Sequence, residues 1–335
     1  MNAPLTAKDF ATDQEVRWCP GCGDYAILKC VQKVMADIGA DPDKTAFVSG
    51  IGCSSRFPYY MNAYGFHTIH GRAPAFATGL KLAQPDLDVW MVTGDGDGLS
   101  IGGNHMLHVL RRNVDMQIML FNNEIYGLTK GQYSPTSRPG TRSPSSPKGS
   151  IDAPVSAGAF ALGAGAKFIA RGIDTDAKNL GATLKAAHAY RGAAFVEIFQ
   201  NCIVYNKDVF DGFVAKKTAA DTQIHVEHGK PLVFAKGEKG LRFNPQSLSL
   251  EVVSVGDGGV PESDLLVHDE TNPMIAQLLL NMTHPEFPMA LGVIHRVEAS
   301  TFDAAFWTNH TTQGKRTGKV ADALHKGSVW TKEKA

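Results

Sequence analysis

Four of the five cysteines in this 335-residue chain stand where they could hold a metal or a cluster. Cys19 and Cys22 bracket a Pro-Gly turn in WCPGCG, and a run with helical spacing follows directly. Cys53 and Cys202 each follow an apolar run, in GIGCSS and FQNC. A zinc ribbon usually has two CxxC pairs, whereas this chain has one. Iron–sulfur clusters take four thiolates, often from unevenly spaced positions. A cluster and a structural zinc ion therefore both stay open, as does a third alternative in which Cys53 and Cys202 are simply buried cysteines in turns at strand ends.

A second group of chemically capable residues follows two apolar runs further along the chain. Gly94-Asp95-Gly96 comes at the end of LDVWMVT, and Asn122-Asn123 comes at the end of MQIMLF. Ligands of open α/β sheets bind at the carboxyl ends of the strands. Glycines let backbone approach a diphosphate, and Asp95 offers the hard oxygen that Mg²⁺ prefers. Asn123 could complete the metal's ligands.

Competing nucleotide and calcium motifs do not fit this turn. A dinucleotide fingerprint needs a third glycine, and Leu99 or Ile101 stands at that position. No GxxxxGK[ST] stretch occurs in the sequence. A calcium loop starting at Asp95 would need a Glu where Met106 stands.

Composition narrows the class of protein. Lys plus Arg and Asp plus Glu both number 33, so the formal net charge is zero, which argues against a nucleic-acid surface. The sequence has no apolar run long enough for a membrane helix, and its start lacks the apolar core of a signal peptide. We therefore expect a cytoplasmic protein whose cysteines are ligands rather than disulfides.

Periodicity predicts an α/β fold with a mostly parallel sheet. The pattern predicts a helix over Asp24 to Ile38, which Asp24 could cap. Residues 134–150 are predicted to form a surface loop or an active-site flap. Residues 1–17 read as an extended arm, and the pattern weakens after about residue 206. The predicted strands are 45–52, 87–98, 116–123, 166–172 and 193–202, the predicted helices are 74–82, 99–112 and 176–190, and short antiparallel pieces (234–256) and a helix within 268–284 follow.

The stretch GDGDG…NNEIYGLTKGQ resembles the diphosphate-binding motif of thiamine-diphosphate enzymes. The resemblance implies their diphosphate-type fold, helices on both faces of the sheet, and Mg²⁺ bound by Asp95, Asn123 and the carbonyl of Ile125. With the cysteine motifs, roughly residues 15–210 resemble the β subunit of 2-oxoacid:ferredoxin oxidoreductases. That resemblance makes Cys19, Cys22, Cys53 and Cys202 ligands of a [4Fe-4S] cluster, while Cys30 lies on an apolar helix face and packs in the core.

The same resemblance implies which residues line the thiamine diphosphate. On chemistry alone His70 is equally a core histidine, and Asp97 could simply cap the following helix. Arg56 and Lys130 are candidates for binding the substrate's carboxylates, because Arg in particular binds carboxylates bidentately. The implied cofactor-binding residues are Ile51, Gly52, Cys53, Ser54, His70, Gly94, Gly96, Asp97, Gly127 and Leu128.

The family's catalytic Glu lies in a pyrimidine-binding domain, and this chain contains one thiamine-type domain. The resemblance therefore implies a partner α subunit, a heterotetramer, and coenzyme A and ferredoxin as further partners. GIGCSSR and HDETNP resemble the 2-oxoglutarate branch. Rivals are a pyruvate or broad-range enzyme, a non-redox thiamine enzyme with structural zinc, and a non-catalytic metal-binding scaffold. We divide the chain into an arm (1–17), a thiamine-diphosphate domain (18–210) and a C-terminal extension for subunit contacts (211–335).

Overall fold

The computed structural model describes residues 5–312 and 319–333, and an eight-stranded sheet forms its centre. Its central strands are buried runs rich in Val, Ile, Phe and Met, as is typical of strands covered on both faces. The strands are β1 (Thr45–Ser49), β2 (Tyr64–His67), β3 (Asp88–Gly94), β4 (Met116–Asn122), β5 (Phe168–Ile173), β6 (Ala193–Phe199), β7 (Gln223–His225), β8 (Val233–Phe234), β9 (Lys239–Asn244), β10 (Ser249–Ser254) and β11 (Met289–Arg296).

The sheet has the spatial order β2-β1-β3-β4-β6-β5-β11-β7. The first six strands in this order are parallel to their neighbours, whereas β11 is antiparallel to β5 and parallel to β7. The predicted α/β class and mostly parallel sheet are confirmed. The C-terminal region adds two strands to this sheet, while β8, β9 and β10 form a small antiparallel sheet of their own.

Helices cover both faces of the large sheet. Along β3, Val89 and Met91 belong to one apolar core while Trp90 and Val92 belong to the other, as the two-residue period of a strand requires. The helices are α1 (Asp24–Asp37), α2 (Ala73–Ala83), α3 (Gly103–Arg112), α4 (Ala157–Gly163), α5 (Ala177–Ala189), α6 (Asp211–Val214), α7 (Ala219–Thr222), α8 (Pro273–Leu280), α9 (Phe302–Thr312) and α10 (Val320–Leu324). The first core includes residues of α2, α3, α4 and α8, and the second includes residues of α1 and α5.

Two predictions about how helices begin are wrong, namely the capping role of Asp24 and the first residue of the helix expected over 99–112. Helix α1 begins at the predicted residue, but Asp24 makes no capping bond and is instead almost fully buried. The helix expected over 99–112 begins earlier with a π-helical turn, Asp97–Ile101, and then continues as α3. Asp97 does not cap it, because its carboxylate is engaged in the site described below.

The described part of the N-terminal arm lies against the domain. Phe10 is fully buried, and Ala11 pairs with Met61 in an isolated bridge. The position of the arm next to WCPGCG therefore places the first two cysteines close to the sheet. Among the described residues, no helix combines the length and apolar character needed to cross a membrane.

Candidate active site

The carboxyl ends of β1, β3 and β4 border one pocket, because these strands are parallel neighbours. The turn that follows each strand supplies part of the wall. Every residue that the sequence singled out around the Gly-Asp turn lines this pocket. The set comprises Ile51, Gly52, Cys53, Ser54, His70, Gly94, Asp95, Gly96, Asp97, Asn123, Ile125, Gly127 and Leu128.

Asp95 is buried at the centre of this wall, and two hydroxyl groups hold its carboxylate. Ser134 and Thr136 each donate a hydrogen bond of 2.5 Å to its Oδ2 atom. Burial raises the pKa of the Asp95 carboxyl to about 6, and the two hydroxyl bonds act in the opposite direction. The carboxylate therefore has a fixed orientation and gains from a cation in the pocket.

Ser134 and Thr136 belong to the Pro/Ser/Gly-rich loop that the sequence predicted to be a surface connection or a flap. Both side chains are buried, at 3% and 4% exposure, although exposed residues follow from Arg138 onward. The base of the loop is thus part of the site. The sequence left a flap at the active site open but did not single out Ser134 and Thr136, because composition predicts a loop without saying which of its side chains turn inward.

The two consecutive asparagines face different ways. Asn123 lines the pocket, and its Oδ1 atom accepts a hydrogen bond of 3.2 Å from the backbone N–H of Ile125. Asn122 instead donates from Nδ2 to Glu197, 2.8 Å away, which is also paired with buried Arg171. The second asparagine of the pair is therefore the one available to a ligand in the pocket.

Asp97 ties together three segments of the pocket wall. Its Oδ1 atom accepts hydrogen bonds from the backbone N–H groups of Ile51 at 3.1 Å and Gly71 at 2.8 Å. Thr93 donates to the other oxygen at 2.7 Å, and Nδ1 of His70 lies 2.6 Å from Oδ1. The carboxylate thereby holds the GIGC turn and the His70 turn against the end of β3.

The two glycines Gly94 and Gly96 of the Gly-Asp turn differ in which atoms a side chain would meet. A Cβ atom on Gly96 would lie 2.3 Å from the ring of Tyr126, whose hydroxyl donates to the Gly96 carbonyl at 2.9 Å. A Cβ atom on Gly94 would meet only the hydroxyl of Ser54 at 3.5 Å and a carbonyl at 3.9 Å. Gly96 is therefore needed for packing, whereas at Gly94 the protein alone would make only ordinary contacts with a side chain.

A second pocket adjoins the first, and four cysteines line it. Cys53 belongs to both pockets, together with Asn123, Gly127 and Leu128. A Cβ atom on Gly127 would lie 3.5 Å from the sulfur atoms of both Cys53 and Cys202. The residues lining the second pocket include Cys19, Cys22, Cys53, Cys202, Trp18, Arg17, Arg56, Lys130, Gln200 and Tyr205.

Backbone hydrogen bonds hold the cysteine-bearing segments together. The Cys22 N–H donates to the carbonyl of Cys19 at 3.0 Å, which closes the Pro-Gly turn. The next residue donates to the carbonyl of Asn201 at 3.2 Å and so links this turn to the segment of Cys202. The indole of Trp18 donates to the carbonyl of Cys53 at 2.7 Å. Three distant parts of the chain thus converge on one pocket.

The four thiols face one pocket without forming the tight cluster that a single ion needs. No group of three His, Cys, Asp or Glu side chains within residues 5–312 and 319–333 could hold one metal ion. Burial raises the pKa of Cys22 above its ordinary value and that of Cys53 to about 12. Burial thus favours the neutral thiols, and a bound cation would be required to favour the thiolates. Cys30 packs in the core, with its thiol near the carbonyl of Ala177, as predicted.

Arg56 and Lys130, the two candidates for substrate binding, both line the cysteine pocket. Lys130 is exposed and has a positive φ of 76°, in the tight turn that follows Gly127. Arg56 also lines a shallow cleft with Tyr59 and His67. Both cationic side chains therefore line the cysteine pocket and not the pocket around the Gly-Asp turn.

Comparisons with known proteins agree with this architecture. Residues 50–198 match the family described as thiamine pyrophosphate enzyme, C-terminal TPP binding domain. The 2-oxoglutarate oxidoreductase subunit KorB of Mycobacterium tuberculosis is 46% identical over 98% of this chain and 89% of its own length. The β subunit of 2-oxoacid:ferredoxin oxidoreductase 1 of Aeropyrum pernix is 47% identical over 59% of this chain and 62% of its own length.

A solved structure is similar over nearly the whole chain. It is the 2-oxoglutarate:ferredoxin oxidoreductase of Magnetococcus marinus with 2-oxoglutarate, coenzyme A and succinyl-CoA bound. The TM-score is 0.76 at 34% identity, and the match covers 96% of this chain and 97% of that one. Fold, pocket and sequence agree: the chain belongs to the β subunits of the 2-oxoacid:ferredoxin oxidoreductases and contains their thiamine-diphosphate-binding domain.

Proposed function

We propose that this chain is the thiamine-binding subunit of a 2-oxoglutarate:ferredoxin oxidoreductase. In this reaction 2-oxoglutarate and coenzyme A give succinyl-CoA, CO₂ and a proton, and two electrons pass singly to two ferredoxins. The observation that carries the proposal is the wall shared by two pockets, in which Cys53, Asn123, Gly127 and Leu128 border both. A site for decarboxylation and a site for electron uptake are thereby adjacent.

The first pocket fits a diphosphate held by Mg²⁺. Asp95 and Asn123 present a carboxylate and an amide oxygen, and the carbonyl of Ile125 is the third proposed ligand, all from the pocket wall. Mg²⁺ prefers oxygen ligands of this kind and is usually bound by only one or two protein carboxylates. Gly94 lines this pocket without a side chain, so a phosphate could approach its backbone closely. When bound, thiamine diphosphate supplies the electron sink that decarboxylation of a 2-oxoacid requires.

The remaining residues of this pocket are proposed to shape it around the cofactor. Asp97 keeps the turns that carry Ile51 and His70 in place, and the hydroxyl of Ser54 can donate to a phosphate oxygen. Gly52, Gly94, Gly96, Gly127 and Leu128 line the same wall. The chain's own groups thus bind and orient the cofactor.

The second pocket fits a [4Fe-4S] cluster. Cys19, Cys22, Cys53 and Cys202 all line this pocket and would supply the four thiolates that such a cluster takes. A bound cluster supplies the one-electron steps between the decarboxylation site and ferredoxin. Burial of Cys22 and Cys53 favours their neutral thiols. The positive charge of the iron in a bound cluster would stabilise the thiolates instead.

The substrate assignment rests on charge and on the relatives. 2-Oxoglutarate carries a second carboxylate that pyruvate lacks, and Arg56 and Lys130 provide two cationic side chains in the cysteine pocket, which adjoins the first. Arg binds carboxylates in a bidentate manner, so Arg56 is proposed to bind one end of the substrate. The relatives from Mycobacterium tuberculosis and Magnetococcus marinus are both named for 2-oxoglutarate.

A partner α subunit is proposed to complete the site with its pyrimidine-binding domain and a catalytic Glu. The rim of the first pocket is apolar and exposed, since Ile69, next to His70, is 65% exposed and Leu128 is 43% exposed. The nearby edge strand β2 presents Tyr64 and Phe66 to solvent in the single chain. Such a rim suits a partner chain, and an assembly of two copies of each subunit is the proposed form.

The test uses the complex purified anaerobically with its partner subunit. Coenzyme A-dependent reduction of a low-potential dye is measured with 2-oxoglutarate and pyruvate in parallel, alongside iron, acid-labile sulfide, zinc and thiamine diphosphate contents. Reduction with 2-oxoglutarate alone supports the proposal. Reduction with pyruvate as well would support the reaction type but contradict the assignment of 2-oxoglutarate as the substrate. Zinc without iron and sulfide would indicate a non-redox thiamine enzyme.

A further inference from the structure

Gln200 lies between the two pockets and contacts one proposed ligand from each. It follows β6 directly and is 1% exposed. Its Oε1 atom accepts a hydrogen bond of 2.8 Å from Nδ2 of Asn123. Its Nε2 atom donates to the sulfur of Cys22 at 3.2 Å. One buried amide therefore joins a proposed Mg²⁺ ligand to a proposed cluster ligand.

The direction of these hydrogen bonds is fixed at both ends. Nε2 of Gln200 also donates to the carbonyl of Asn201 at 2.6 Å, and a carbonyl can only accept. At the other end the backbone N–H of Ile125 donates to Oδ1 of Asn123, so Nδ2 must face Gln200. Reversing either amide would place two donors or two acceptors against each other. The N–H group of Gln200 must therefore point at the sulfur.

This arrangement has two chemical consequences. A donor directed at a cluster's cysteine sulfur stabilises the extra negative charge of the reduced cluster and raises its reduction potential. An acceptor on Nδ2 of Asn123 keeps the amide from rotating, so its oxygen stays on the ligand side. Both effects come from the same side chain.

We propose that Gln200 is a positioning residue that raises the reduction potential of the cluster through Cys22 and orients Asn123 for the metal–diphosphate site. The inference rests on the proposed function, because it needs both groups to be bound. Gln200 itself is not a proposed ligand of either the Mg²⁺ ion or the cluster. Because one side chain contacts a proposed ligand of each group, binding in one pocket can change the properties of the group bound in the other.

A buried glutamine could instead serve packing and backbone bonding alone. Gln223 is a matched control for that role, since it is 6% exposed and its Nε2 donates to the carbonyl of Phe213 at 2.6 Å. It lies on β7, at the far edge of the sheet from β1. Gln223→Met removes a buried amide hydrogen bond without touching either pocket.

The experiment uses the anaerobically purified complex with its partner subunit and compares Gln200→Met with Gln223→Met. The midpoint potential of the cluster is measured by an EPR-monitored redox titration. Affinity for thiamine diphosphate with Mg²⁺ is measured calorimetrically on cofactor-depleted complex. We expect Gln200→Met to move the potential to a more negative value and to weaken cofactor affinity about fivefold to tenfold, which corresponds to one lost hydrogen bond. Gln223→Met should leave both values unchanged.

A measurement on the unmutated complex covers the case in which Gln200→Met does not assemble. Glutamine labelled with ¹⁵N at the side-chain amide should give a ¹⁵N hyperfine coupling to the reduced cluster, because its N–H group contacts a ligand sulfur. An absent coupling, or an unchanged potential in Gln200→Met with the cluster intact, overturns the inference. Iron and sulfide missing from the unmutated complex would instead overturn the proposed function itself.

Discussion

The hydroxyl of Thr136 donates a 2.5 Å hydrogen bond to Oδ2 of Asp95, 41 residues earlier in the chain, and both side chains are buried. Ser134 donates to the same oxygen, so two donors from one loop fix this carboxylate. The base of the Pro/Ser/Gly-rich loop is thereby part of the proposed metal–diphosphate site rather than a simple connection between elements.

Thr136→Val should weaken binding of thiamine diphosphate with Mg²⁺ about tenfold or more. The change keeps the side chain's shape but removes a hydrogen bond to a charged group, which typically contributes about 1.5–3 kcal/mol. Titration calorimetry on the cofactor-depleted complex measures the effect. Thr141→Val is the matched control, because it removes a hydroxyl of the same loop that donates to the Arg138 carbonyl at 2.7 Å and not to Asp95. Equal affinities in the two variants would contradict the prediction.

Cofactor affinity should depend on pH through Asp95. Burial raises the pKa of this carboxyl to about 6, so in the empty pocket it holds a proton below that pH. Mg²⁺ must displace the proton, so affinity should rise about tenfold per pH unit up to about pH 6 and then level off. Dissociation constants measured from pH 5 to pH 8 give this profile.

The hydroxyl bonds of Ser134 and Thr136 lower the pKa of Asp95 and thus oppose the effect of burial. Removing one of them in Thr136→Val should move the levelling-off point to higher pH. A profile that keeps its position in this variant would mean that a different group controls the pH dependence.

Replacing any one of Cys19, Cys22, Cys53 and Cys202 by Ala should abolish the cluster, because each supplies a proposed ligand. Iron and acid-labile sulfide per complex and the EPR signal of the reduced cluster are the measurements. Cys30→Ala should keep full iron and sulfide, since that thiol packs in the core between α1 and α5. Normal iron content after loss of any of the other four would remove that cysteine from the ligand set.

Arg56→Leu should lower the ratio of kcat/KM for 2-oxoglutarate over pyruvate at least tenfold. The expected size follows from loss of a charge-assisted hydrogen bond to the second carboxylate. Arg242→Leu, which removes a cation paired with Glu251 in the small antiparallel sheet, is the control. An unchanged ratio would show that Arg56 does not distinguish the two acids, and Lys130→Leu would be tested next.

Residue patterns predicted most of the sheet and the sides of the pocket. Alternation along strands such as β3 fixes which residues face each layer of helices, and parallel neighbours necessarily bring their carboxyl ends together. That is why Asp95 and Asn123 could be placed at one edge before the fold was known. The cysteines could be grouped by resemblance, but their pocket depends on contacts between distant segments.

The contacts that no local pattern specifies were the ones missed. The resemblance placed Asp97 beside the cofactor and chemistry alone allowed a helix cap, but neither predicted that backbone N–H groups of the GIGC and His70 turns bond to its carboxylate. Ser134 and Thr136 lie in a stretch whose composition predicts an exposed loop. Gln200 follows a strand and carries no motif, so only the folded chain reveals that it joins Asn123 to Cys22.

The antiparallel pairing of β11 with β5 limits where this polypeptide can be shortened. Gly292 and Arg171 are partners in that pairing, although they are far apart in sequence. Removing everything after residue 210 would leave β5 as a bare edge, rich in buried apolar residues and ready to pair with other chains. Such a fragment would keep the four cysteines and the Gly-Asp turn yet aggregate, so recombinant forms intended for spectroscopy need the C-terminal strands.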